Sequence, residues 1–276
     1  MIHYKMKILR LLLTLSLLLI SFFQLQAGWL LTGKNIDTEG RAIPEKIFIE
    51  QYKVKIEQPE YIAIFDMKTL RIILVDPIKL TFYQGSLSEY MDSVKAFKKE
   101  ALKVATADMP SEQANTYNMT YLDQIESFFE IPKVAPGSLV INKTDVTFKM
   151  VGWQTEKYEI SLNGILRERV WLAPGMKAGE GFDWKLYFRF LKAAALEDQS
   201  LIYMNTPEYL DLLNTGFPLR KMVITNGVQT EFQVNRLEEK TIPDYEFYTP
   251  SLCKELTIAG WLKQHVASED IYDDYE

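Results

Sequence analysis

Residues 61–85, YIAIFDMKTLRIILVDPIKLTFYQG, hold three short apolar runs separated by Asp66-Met67-Lys68 and Asp76-Pro77, and Ile72, Ile73, Leu74 and Val75 follow one another without a break. Side chains alternate between faces along a strand, so strands of this composition are apolar on both faces. An antiparallel sheet with one wet face shows alternation instead. Leaving about six such side chains in water would forgo on the order of 10 kcal/mol, at about 1.5–3 kcal/mol each. That equals the whole stability of a typical domain. The chain must therefore cover both faces here, with its own segments, a partner or a ligand.

The surrounding sequence predicts a large antiparallel sheet. In KIFIEQYKVKIE (46–57) the even positions Phe48, Tyr52, Val54 and Ile56 are apolar, which places them on one face of a single strand. YIAIFDM (61–67), LRIILVD (70–76) and IKLTFYQ (78–84) follow at the spacing of a meander. A second meander starts near Val146, with Val146, Phe148 and Met150 on one face, then Tyr158, Ile160 and Leu162, then ILRERVWLA after Asn163-Gly164. Asn-Gly supplies the positive φ pair that a two-residue hairpin needs. LRKMVIT and VQTEFQVNRL flank a second Asn-Gly, at 226–227. Nine or ten strands result, enough for a curved sheet or an incomplete barrel.

Four helices interrupt the strands. Ser86-x-x-Glu89 is a capping box, followed by apolar residues at helical spacing until Met109-Pro110. A second helix is predicted near 119–130, ending in Phe128 and Phe129. The third, FDWKLYFRFLKAAALED (182–198), carries Trp184, Tyr187, Phe188, Phe190 and Leu191 around most of its circumference, so it must be buried on more than one side. The fourth runs from Thr206 as N-cap, through Pro207, to Gly216.

Lys5, Lys7 and Arg10 precede an apolar run at 11–23, and a small residue, Ala27, ends the segment, as in a secretory signal peptide. The run is shorter than the roughly 20 residues of a membrane span. Residues 1–27 are thus expected to be a cleaved leader, 28–266 one domain, and the acidic 267–276 a frayed tail, giving a soluble periplasmic or extracellular protein. Without the leader the net charge of −6 becomes −9, which argues against nucleic acid as a partner. Cys253 is alone, so no intrachain disulfide forms.

Little in the chain points to catalysis. His265 is the one histidine after residue 27, and it lies beside the acidic tail. CxxC, HExxH, GxGxxG and GxxxxGK[ST] are all absent, so neither a metal nor a cofactor is expected. The glycines of GMKAGEG (175–181) read as a hinge. A carboxylate pair for hydrolysis has no spacing signature, which leaves a secreted hydrolase as the weakest alternative. The chain has 15 Phe, 15 Tyr and 5 Trp. Core packing accounts for most aromatic residues in any domain, but an aromatic-lined sheet under helices is also the architecture of a lipid cavity.

The order of elements carries a resemblance. FIEQYKVKIE, YIAIFD and LRIILVDPIKLTFYQG, then VGWQTEKYEISLNGILRERVWLAP, LLNTGFPLRKMVITNG and IPDYEFYTP, together resemble a family of periplasmic proteins similar in fold to the LolA/LolB lipoprotein carriers. The specific parts are Gly152-Trp153 with Tyr158, the turn Gly216-Phe217-Pro218-Leu219, and Ile242-Pro243 with Phe247 and Pro250. The resemblance implies an α+β fold, an eleven-stranded half-open barrel with helices over its concave face, and a non-enzymatic role in holding an acyl chain or a hydrophobic partner in the cell envelope. The chain departs from the carriers in lacking a lipobox cysteine and in its longer helical insertions. The expected lipid-binding wall is Phe48, Tyr52, Val54, Ile72, Leu74, Phe82, Phe148, Tyr158 and Ile160, with Phe188 and Phe190 on the lid. The partner is then a lipid or acyl chain, with peripheral contact to a membrane compatible with it. The alternative is an envelope adaptor whose cavity is filled by its own side chains and whose partner is a protein.

Overall fold

The computed structural model describes residues 28–127, 129, 134–135, 137–179, 182–195, 203–225 and 227–265. The expected leader and acidic tail, Phe128, residues 196–198 and Asn226 lie outside them.

Two meanders form the sheet. The first is β1 (Gly28–Ile36), β2 (Ala42–Glu50), β3 (Lys53–Gln58), β4 (Tyr61–Asp66), β5 (Arg71–Asp76) and β6 (Thr81–Ser86). The second is β7 (Leu139–Met150), β8 (Trp153–Leu162), β9 (Ile165–Pro174), β10 (Gly216–Thr225) and β11 (Val228–Lys240). Antiparallel pairing of β1 with β11 joins them. A two-residue strand, β12 (Lys254–Glu255), adds in parallel to β6, so the order is β12-β6-β5-β4-β3-β2-β1-β11-β10-β9-β8-β7. The result is a curved, unclosed sheet with helices on its concave side. It has twelve strands rather than eleven, because β12 caps one edge.

Local chemistry explains the turns. Asn163 and Gly164 take φ of 53° and 76°, and Leu162 pairs with Ile165 across this two-residue loop. The β4–β5 and β5–β6 connections repeat one design, DMKTL and DPIKL. In each, Asp Oδ1 accepts two backbone N–H groups, from Lys68 and Thr69 or from Ile78 and Lys79. Each loop closes on a leucine at positive φ, Leu70 at 55° and Leu80 at 53°. The predicted strand 46–57 is instead a hairpin, with Gln51 at φ 48° and Tyr52 forming its turn. No Gly or Pro marks that turn.

Five α-helices are described. In α1 (Leu87–Thr106) the Ser86 hydroxyl accepts the Glu89 N–H, as the capping box predicts. The next helix, α2 (Ser111–Ser127), starts eight residues before the expected position, directly after Pro110. Its first turns, SEQAN, are polar and give no apolar period to read. The aromatic helix is α3 (Trp184–Ala195), and α4 (Pro207–Thr215) has the predicted Thr206 cap. Gly216 ends α4 in extended backbone, not as a left-handed cap. A glycine is required there because a Cβ would lie 2.5 Å from the Ala173 carbonyl oxygen on β9. α5 (Ile258–His265), which the sequence reading did not anticipate, buries Trp261 and Leu262. No described helix is long and apolar enough to cross a membrane.

Candidate binding site

The pairing registers sort the sheet into two faces, and among the described residues the centre of the concave one is packed by the chain itself. Val54, Ile72, Phe65, Ile160 and Phe190 are 0% exposed, and Leu74 is 1% exposed. At that burial no water-sized space adjoins these side chains. α3 supplies the filling: Phe190 stacks on Phe65 of β4, with centroids 4.6 Å apart and planes 4° apart. Phe188 and Trp184 continue the aromatic layer to Phe217 and Tyr209. Tyr61 anchors the end of α3 by donating to the Ala194 carbonyl at 3.2 Å.

Beneath α4 lies a buried polar lock. Glu168 of β9 is 0% exposed, and its two oxygens accept the hydroxyls of Tyr203 (2.7 Å) and Tyr209 (2.8 Å). The Lys221 ammonium stands 3.7 Å away, over the Phe188 and Tyr209 rings. Burial, followed by the nearby carboxylate, pushes both tyrosine hydroxyls well above their ordinary pKa. A carboxylate sealed in this way fixes the helical cover on the sheet and offers no open site for acid–base chemistry. A second buried carboxylate, Glu45 of β2, accepts from Asn35 (3.0 Å) and Gln58 (2.5 Å), and burial raises its pKa. His265 stacks on Trp261 and lies 3.6 Å from Asp76. Among the described residues no group of three or more His, Cys, Asp or Glu side chains could hold a metal.

The expected ligand wall is divided by the registers. Val54, Ile72, Leu74, Tyr158 and Ile160 belong to the concave core, with Phe188 and Phe190 on its cover. Phe48 and Phe82 do not. Phe48 pairs with Lys55 and Phe82 with Val75, and both pack on the opposite, outer face. Tyr52 sits in the β2–β3 turn, 39% exposed. Phe148, 63% exposed on the edge strand β7, pairs with Thr155 and so faces away from Tyr158 and Ile160.

The outer face changes character along the sheet. Over β8–β11 it is polar: Lys157, Glu159, Arg169, Arg220 and Glu231 share it, and Arg220 lies over the Trp171 ring while holding Glu231 at 2.8 and 3.1 Å. Over β1–β6 it carries an apolar patch bordered by charged residues, and the segment after β11 crosses it as a strap. Ile242 and Phe247, the latter in the 3-10 turn Asp244–Phe247, pack on Phe48, Ile64, Ile73, Val75 and Phe82. Lys53–Asp244 (2.7 Å) and Lys55–Glu246 (3.3 Å) hold the strap down. Between strap and sheet a cleft of about 300 Å³ remains. Ile64 and Ile73 of the sheet and Phe247 of the strap are its apolar lining, and Lys53, Asp66, Arg71 and Gln84 of the sheet with Tyr248 and Thr249 of the strap complete it. In the sequence IPDYEF carries part of the resemblance but no period that marks it as a cover.

Fold and surface together define an open-sheet α+β protein with a self-packed concave side and a strapped outer side. No protein-family model and no curated protein matches the chain. Among solved structures it is similar to PNGF-II, at 10% identity and a TM-score of 0.35, over 86% of this chain and 32% of that one. It is also similar to a chain of the Pseudomonas aeruginosa MucA/MucB complex, at 9% identity and a TM-score of 0.39, over 84% and 59%. A crystal structure of MucB gives 10% identity and a TM-score of 0.38, over 83% and 59%. The chain thus spans about a third to three fifths of the length of these proteins, and likenesses of this size carry no argument about function.

Proposed function

We propose that this chain is a non-enzymatic binding protein of the cell envelope that engages a protein partner through its outer surface. Its concave side serves as a packed core and does not hold an acyl chain. The packing of α3 onto the concave wall carries this reading, because Phe190 and Phe65 occupy the space in which a lipid tail would lie. The Glu168–Tyr203–Tyr209 lock adds to it, since lifting the cover would strip a buried carboxylate of two hydrogen bonds. The compartment rests on the leader-like residues 1–27.

Native mass spectrometry of protein purified from its own compartment tests the reading. A stoichiometric polypeptide without lipid mass is the expected result, together with no fluorescent fatty acid taken up on the concave side, so that Tyr158→Glu leaves any fatty-acid signal unchanged. A co-purifying acyl lipid, with uptake abolished by Tyr158→Glu on the concave side and unchanged by Phe82→Glu on the outer side, would establish a carrier instead.

A further inference from the structure

The outer cleft is bordered by one row of directly opposed charges. Glu50, Lys53, Asp66 and Arg71 are successive cross-strand partners on β2, β3, β4 and β5, alternating in sign. Lys53 stands between two carboxylates and also binds Asp244 at 2.7 Å. Asp66 stands between two cations and accepts the Lys68 and Thr69 amides. Arg71 ends the row, and its partner on the far side, on β6, is Ser86, which brings no charge. A relay aims the guanidinium: Glu255 accepts from Gln84 Nε2 at 3.0 Å, and Gln84 Oε1 accepts from Arg71 Nη2 at 2.5 Å. That bond uses one of five guanidinium N–H donors. Directly beside it, Ile64 and Ile73 pair across β4 and β5 under Phe247.

A guanidinium oriented by Gln84 beside an apolar lining selects an anion attached to an apolar chain, and a planar carboxylate matches its fork. The volume, at the low end of ligand sites, holds on the order of ten heavy atoms at roughly 30 Å³ each. We propose that this cleft binds the carboxylate end of a short aliphatic chain, with Arg71 as the anion-binding group and Ile64, Ile73 and Phe247 as the apolar seat. The cleft lies on the outer face on which the partner is proposed to dock, but the inference does not rest on that partner, since a free acid would fill the cleft without one. Two sources present this chemistry, a free medium-chain acid and the C-terminus of a polypeptide ending in an aliphatic residue.

The test is a titration of protein carrying labelled isoleucine δ1 methyl groups with sodium octanoate and with N-acetyl-Gly-Leu, each compared with its amide. Binding should shift the Ile64 and Ile73 methyl signals and leave Ile72, on the concave face, unmoved. At least one acid should bind about tenfold more tightly than its amide, the scale of one charge-assisted pair. Arg71→Gln should bring acid and amide within about twofold, and Arg71→Lys should fall between. A response to octanoate alone identifies a free acid, and a response to the peptide alone identifies a chain end. Arg71 is exposed, so unchanged melting temperatures should show that both variants fold. If neither acid moves the Ile64 and Ile73 signals, if acid and amide bind alike, or if Arg71→Gln still discriminates, the proposal is wrong.

Discussion

Replacing Phe190 with alanine breaks the self-filled interior at its centre. The ring is fully buried against Phe65, so truncation removes a stacked pair as well as apolar burial. The lost transfer free energy is about 1.5–3 kcal/mol, and the pair contributes about 0.5–1.5 kcal/mol more. Volume left unfilled costs about 24 cal/mol per Å³, which brings the total to the roughly 3–5 kcal/mol typical of Phe→Ala in a core. For a domain of this size the melting temperature should fall by roughly 2–4 °C per kcal/mol, or about 6–20 °C. Denaturant titration should show a lower midpoint with an unchanged slope. A second signature follows from the chemistry of the vacated space. It is lined by Phe65 and its apolar neighbours, and an apolar cavity stays dry and binds xenon or benzene. Phe190→Ala should therefore bind xenon at a site that the wild-type protein lacks. A loss below about 1 kcal/mol, or xenon already bound between α3 and the sheet in wild type, would refute the packed-core reasoning.

Glu168→Gln should cost about 2–4 kcal/mol in denaturant titration, because the amide NH₂ cannot accept the second tyrosine hydroxyl and Lys221 loses its carboxylate. Adding Tyr209→Phe should recover part of that loss, a non-additivity that simple loss of packing would not produce. Burial holds the Glu45 pKa above its ordinary 4.5, so its contribution is complete below pH 4.5 and is lost as pH rises through the raised value. Glu45→Gln should flatten that decline in urea midpoints measured from about pH 4 to pH 8. His265 has the opposite sign. Burial first and Lys79 second lower its pKa from 6.5 against the pull of Asp76, so its contribution is present above pH 6.5 and lost as pH falls through the lowered value, a loss that His265→Gln should remove. Leu80, half exposed at φ 53°, should tolerate glycine with a gain of up to about 1 kcal/mol by thermal melting, since left-handed backbone costs a leucine about 1–2 kcal/mol and glycine entropy returns about half of that.

Much of the fold was legible because its signals are local. The capping box at Ser86, the Thr206-Pro207 start and the Asn163-Gly164 turn all depend on neighbours in the chain, and all appear where they were expected. The two-faced wall of Ile72–Val75 demanded two covers, and there are two. Which face each strand presents was not legible, because that depends on loop length. A two-residue turn joins Glu50 to Lys53, and four-residue turns join Asp66 to Arg71 and Asp76 to Thr81. An even loop pairs an even-numbered residue with an odd-numbered one. Phe48 and Phe82 therefore face outward while Val54, Ile72 and Leu74 face inward, although all five positions are even. Reading 46–57 as one strand hid the first of these loops, since Gln51-Tyr52 carries no Gly, Pro or Asn.

The outer cover was illegible for a different reason: it is short, irregular and last in the chain. Five outward side chains, Phe48, Ile64, Ile73, Val75 and Phe82, are buried under Ile242 and Phe247, a burial on the order of 10 kcal/mol at about 1.5–3 kcal/mol each. No helical or strand period marks a segment that does this with two side chains and two ion pairs. An apolar wall in a sequence is thus not yet a ligand wall, because covers of this kind add no periodic signal. A ligand site is expected only where the cover falls short. On the concave side α3 and α4 close over the wall, α3 through Phe190 on Phe65 and α4 through the lock at Glu168. On the outer side the strap runs from Phe247 to Thr249 along one wall of the cleft and leaves Arg71, Ile64 and Ile73 lining the other. Apolar and charged side chains line that cleft together, which is why both the proposed partner surface and the proposed carboxylate site lie on the side of the sheet opposite to the one the carrier resemblance implies.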